Sequence, residues 1–143
     1  MAKSTTTCNN LLKLVFNAVA WANIADNAAS SPATTLYLSL HTADPGASGT
    51  QSTSETAYTN YARIGVVRTS VGWTVATNTA TNAALAQFPQ CGATGSTITY
   101  VAIGMLASGA GIILYSGPLN SSLSVANGIQ PQFSASSLVV TET

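Results

Sequence analysis

From Thr35 to His41 the chain reads Thr-Leu-Tyr-Leu-Ser-Leu-His, so Leu36, Leu38 and Leu40 share one side of an extended segment and Tyr37, Ser39 and His41 the other. A period of two cannot form a helical stripe; it specifies a strand with one face packed. Similar short runs, bounded by turn residues, recur to the C-terminus. Asp44-Pro45-Gly46 turns the chain, and the polar stretch Ala47 to Asn60 has no periodicity. Strands are then predicted over Tyr61 to Thr69, Gly72 to Val75, one or two between Thr77 and Phe88, Thr97 to Leu106 and Ile112 to Ser116. Gly117-Pro118 punctuates, and further strands are expected over Leu119 to Val125, Ile129 to Phe133 and Leu138 to Thr141. Short strands with closely spaced turn signals predict a mainly β fold, an antiparallel β-sandwich of jelly-roll type.

The N-terminal segment has a different period. Asn10, Lys13 and Asn17 form one narrow polar stripe, and Leu11, Leu12, Leu14, Val15, Phe16, Val19, Trp21 and Ile24 fill the rest of the circumference. This predicts one α-helix from Asn10 to about Ala25, capped by Thr7 or Asn9 and ended between Asp26 and Pro32. A helix so widely apolar needs more than one covering neighbour, either its own sandwich or another chain. The expected organisation is a helical arm, residues 1–32, and a β-sandwich domain, residues 33–143. Leu11, Leu14, Val15, Phe16, Val19 and Trp21 are the candidate interface residues of the arm.

Charge narrows the function. Only 6% of the 143 residues are charged, four basic and four acidic, for a net charge of zero, where soluble domains carry roughly a quarter. A neutral surface of Ser, Thr, Asn and Ala suits contact with partner chains, because few charges need desolvating there. The plainer alternative is a neutral monomer. Four cations cannot neutralise a phosphate backbone, so no nucleic-acid partner is expected. No apolar run is long enough for a membrane span. Lys13, Asn17 and Asn23 interrupt the N-terminal apolar stretch, so a cleaved signal peptide is not expected. Cys8 and Cys91 are then read as isolated thiols in a reducing compartment, in preference to the alternative of a disulfide between them, and without metal-ligand spacing around either.

Catalytic constellations are sparse. His41 is the one histidine, and no Gly-x-Ser-x-Gly elbow accompanies it. It is expected to hydrogen-bond from a strand end into the loop beginning at Thr42. Asp26, Asp44, Glu55 and Glu142 are too scattered for a glycosidase pair or a calcium site. Arg63 and Arg68, the remaining candidate interface residues, each need a specific partner: Asp44 or Glu55 within the chain, or an acid on a neighbour. Trp73, Tyr37, Tyr58, Tyr61, Tyr100 and Tyr115 are read as core and interface residues rather than a sugar-stacking platform. The chain is expected not to be an enzyme and to need no cofactor or metal.

The segment Leu36 to Gly46, containing Leu40-His41-Thr42-Ala43-Asp44-Pro45-Gly46, together with Tyr61-Ala62-Arg63 and Gly72-Trp73, resembles a group of small tailed-bacteriophage virion proteins. These share an LHTADPG, then YAR, then W pattern and carry tail-fibre, head-decoration or cement labels. The resemblance runs from about Leu36 to the C-terminus. It implies a virion component, and within the family a capsid decoration protein that bridges major capsid subunits at the capsid surface. Copies of itself, as a dimer or trimer, are the other expected partner, with assembly in the bacterial cytoplasm. A tail or tail-fibre component is the alternative, and a carbohydrate-binding adhesion module is an alternative of another class.

Overall fold

A computed structural model describes residues 3–21 and 32–143. As expected, the fold is mainly β and antiparallel, with one helix among the described residues, at the N-terminal end. The backbone forms two compact units, Met1–Thr35 with Val66–Ala86 and Phe133–Thr143, and Leu36–Gly65 with Gln87–Gln132.

The first unit contains helix α1, Thr5–Asn17. The Ser4 hydroxyl caps it by accepting the Thr7 N–H at 3.2 Å, so the cap lies earlier than Thr7 or Asn9. The helix also stops earlier than its apolar pattern, because Ala18 turns left-handed at φ 54° and Val19 N–H folds back onto the Lys13 carbonyl at 3.2 Å. The remainder of the expected helix, residues 22–25, lies outside the described residues. Cys8, Leu12 and Phe16 form the buried stripe, four residues apart. Phe16 meets the fully buried Trp73 ring, centroids 4.6 Å apart.

Trp73 opens β3 (Trp73–Ala76), which pairs with β4 (Thr79–Asn82), and β4 pairs in turn with β9 (Val139–Thr141). The β3–β4 hairpin turns on Thr77, whose φ of 56° is the positive angle a two-residue hairpin needs. Buried Asn82 ties this unit together. Its amide donates to Ala84 and Ser134 carbonyls, both at 2.8 Å, and its Oδ1 accepts Leu138 N–H at 2.9 Å.

A four-stranded sheet has the order β2-β1-β6-β7, comprising β1 (Thr35–His41), β2 (Ile64–Val67), β6 (Ser96–Gly104) and β7 (Ile113–Val125), and most of its residues belong to the second unit. Strand β1 has the expected bounds, and Leu36, Leu38 and Leu40 are buried. Ser39 and His41, on its other side, are buried as well, because both are hydrogen-bonded in the network described below. Strand β7 continues through Gly117-Pro118, where the sequence suggested a break. Pro118 pairs with Tyr100 on the outermost strand, where a missing N–H is tolerated. The irregularity appears on either side of it instead. Leu114 is the extra residue between the pairs Ile103–Tyr115 and Gly104–Ile113, and residues 119–122 bulge opposite Thr99. A two-stranded sheet, β5 (Ala86–Gln87) with β8 (Gln132–Phe133), completes the strands.

Candidate functional site

His41, Glu55, Tyr61 and Arg63 converge where β1 ends. His41 is fully buried, with Nδ1 2.8 Å from the Thr53 carbonyl and Nε2 2.9 Å from the Ser39 hydroxyl. A carbonyl only accepts, so the Nδ1 proton is assigned by this contact, and Ser39 donates to Nε2 of a neutral ring. Burial lowers the His41 pKa, only partly offset by the Thr53 carbonyl and the Glu55 carboxylate. The loop contact is the one expected for a strand-end histidine. Orientation alone would suit a nucleophile and base, but Ser39 and His41 are both fully buried, and the third member is a carbonyl rather than a carboxylate.

Beside this pair, Glu55 bridges antiparallel to His41 through the backbone. Its carboxylate receives Arg63 Nε at 2.6 Å and Nη2 at 2.7 Å, a two-pronged contact, with the Tyr61 hydroxyl donating at 2.9 Å. The Glu55 hydrogen bond raises the Arg63 pKa further. Burial, with Glu55 nearby, holds the Tyr61 phenol well above its usual range. Tyr61 also accepts the Leu40 N–H at 3.0 Å. Arg63 therefore has its expected partner, Glu55.

The other face of Arg63 was not foreseen. Nη1 donates to the Leu106 carbonyl at 2.9 Å and Nη2 to that of Gly109 at 2.8 Å, clamping the loop between β6 and β7. Fully buried Gln51 holds the same loop: its Oε1 accepts Leu106 N–H at 2.9 Å and its own N–H donates to Gly111 at 2.8 Å. A Cβ at Gly104 or Gly111 would lie 2.2 Å from Gln51 side-chain atoms, so a larger residue at either position would displace the Gln51 amide that holds Leu106. The only sequence signal for this clamp was an arginine in a chain with four cations. Gln51 sits in a polar stretch without pattern.

Arg68 meets no carboxylate among the described residues. It donates to three main-chain carbonyls, Val15 at 2.5 Å, Leu14, and Ala33 at 3.0 Å. Two of these close the C-terminal end of α1, which has no basic residue in its own last turn. A cation there satisfies orphan carbonyls and opposes the negative end of the helix dipole.

The helix candidates divide by depth. Phe16 is fully buried, Leu11, Leu14, Val15 and Trp21 are half-buried, and Val19 is 51% exposed. Val19 borders a groove of about 460 Å³ lined also by Lys13, Asn17, Thr69, Ser70 and Val75. Trp73 and Tyr58 are buried and present no stacking face to solvent; burial pushes the Tyr58 phenol up to about 12. Cys8 and Cys91 are buried free thiols. Among the described residues no group of three His, Cys, Asp or Glu is placed to hold a metal, and no helix is long and apolar enough to cross a membrane.

Most of the charged groups of the described residues are thus engaged within the chain. Glu55 pairs with Arg63, Lys3 with Glu142, Arg68 caps the helix, and Asp44 accepts the Gly46 N–H at 2.8 Å. Asp26 lies outside the described residues. No curated protein matches the chain. A family model described as podophage GP4 fiber I protein gp80 matches residues 2–141. The chain therefore belongs to this family of bacteriophage structural proteins.

Proposed function

We propose that the chain is a non-enzymatic subunit of the phage tail fibre, acting by packing its uncharged surfaces against other virion chains. The carrying observation is how few charges the chain has and how many of them are engaged within it, which leaves little charge to desolvate at a contact. Buried Ser39 and His41 support a structural reading of the one histidine. The family description names a fibre protein, so a fibre location takes precedence over capsid decoration. The neutral surface suits both locations equally. Other fibre chains and copies of this one are the partners under the fibre reading; the major capsid protein is the partner under the decoration reading.

The test is fractionation of purified particles into heads and tails, followed by quantitative immunodetection of the chain. A few copies confined to tails are expected. Hundreds of copies on heads would replace the fibre assignment with decoration, and absence from particles would overturn the virion reading.

A further inference from the structure

The turn that follows β7 holds a residue pair that is chemically labile in an unfolded chain, Asn127 followed by Gly128. The Gly128 nitrogen can attack the Asn127 side-chain amide, because a following glycine has no Cβ to crowd the approach. A bond forms from that nitrogen to Cγ, the Cγ–Nδ2 bond breaks, and ammonia leaves with the nitrogen's proton. Water then opens the cyclic imide at either carbonyl, leaving aspartate or isoaspartate. The fold itself asks for this glycine. Ile129 N–H closes the turn on the Ala126 carbonyl at 2.9 Å, and Gly128 stands at its third position with a φ of 85°, the left-handed angle of a type II turn.

The same turn restrains the reaction at its nucleophile. The Gly128 N–H donates to the Cys91 carbonyl at 2.9 Å, and the Gly128 carbonyl accepts Gln90 Nε2 at 2.7 Å. Cys91 N–H donates in turn to the Ile129 carbonyl at 2.8 Å. Attack requires the Gly128 nitrogen to lose its proton and swing towards Cγ, and its bond to Cys91 opposes both. Asn127 is exposed, and among the described residues no hydrogen bond holds its side chain. The electrophile is therefore free while the nucleophile is held. We propose that Asn127 is a site of spontaneous deamidation whose rate is governed by opening of the turn that binds Gly128 to Cys91 and Gln90. The isoaspartate product inserts a methylene into the backbone, so these hydrogen bonds cannot all re-form and the change is one-way. It also adds a carboxylate, on an exposed turn, to a chain of zero net charge. Chains that linger unfolded acquire this charge, and folded chains are spared.

The test follows Asn127 by peptide mapping in the full chain, kept in slightly alkaline buffer either folded or in concentrated urea. Asn127 is expected to deamidate readily in urea and roughly tenfold or more slowly in the folded chain, the factor being set by the cost of opening the turn. Hydrogen exchange at the wild-type Gly128 amide measures that opening independently, and the two protection factors should agree. Gln90→Ala removes one hold from an exposed position. With circular dichroism unchanged, it should raise the folded rate about two- to tenfold, the worth of one hydrogen bond. An Asn127 that survives in urea would overturn the site. Equal rates in the two states, an unchanged rate in Gln90→Ala, or protection that does not match Gly128 exchange would each overturn control by the turn.

Discussion

The guanidinium of Arg63 lies between Glu55, which it grips with two nitrogens at 2.6 and 2.7 Å, and the carbonyls of Leu106 and Gly109 on the opposite side. The Arg63 side chain is 2% exposed and that of Glu55 17%. Little water therefore reaches the guanidinium itself. Replacing Glu55 with Gln should leave the buried cation uncompensated and lower unfolding free energy by about 3–5 kcal/mol. Urea denaturation measures the loss, and hydrogen exchange should show faster exchange at Leu106 and Gly111 first. Unchanged exchange in this loop would count against the clamp.

His41 sets a pH dependence whose sign follows from its burial. Its folded pKa lies below the unfolded value near 6.5, so between the two the unfolded chain binds the extra proton. Stability should be greatest above that unfolded value, fall as pH drops towards the folded pKa, and level off beneath it. The slope in that window is at most about 1.4 kcal/mol per pH unit. Subtracting the denaturation profile of His41→Gln isolates it from the carboxylates. A difference profile flat from pH 7 to 4 would refute the assignment.

Arg68→Gln should remove the cation from the end of α1 and strand the carbonyls of Leu14 and Val15. The expected cost is about 1–3 kcal/mol, read as a lower thermal midpoint. Arg68→Lys should recover only part, since an ammonium lacks the planar fork that reaches three carbonyls.

Phe16 and Val19 separate folding from association. Phe16→Ala opens a hole against Trp73 and should cost about 3–5 kcal/mol, whereas Val19, half exposed after the helix end, should tolerate Asp within about 0.5 kcal/mol. Comparing thermal midpoints with oligomer mass for the two variants distinguishes a core position from a surface one. Large destabilisation by Val19→Asp would remove it from the candidate interface.

Legibility in the sequence followed the range of the forces involved. Strand β1 was visible to the residue because its alternation is local and three leucines mark one face. The bounds of α1 were not, since Ser4 precedes three threonines that disguise the cap, and Ala18 takes a left-handed turn usually assigned to glycine. Pro118 suggested a break because proline removes a donor, and only the sheet order shows that it lies on an outer strand. The Glu55–Arg63 pair could be anticipated from scarcity of charge, but the loop it holds could not. Gln51 shows the limit most clearly: its burial depends on carbonyl and amide groups about 55 residues away along the chain.

The irregular β7 has a bearing on crowding. A chain without net charge has no long-range repulsion to keep its copies apart, and a regular outer strand would then template the addition of further strands without end. Here Pro118 withholds a donor, and the extra residues at 114 and 119–122 spoil the spacing that an incoming strand would need. Steric frustration of that edge thus takes the place of electrostatic protection. Copies crowded together would meet an edge that offers no regular ladder to extend, so runaway β-polymer is disfavoured.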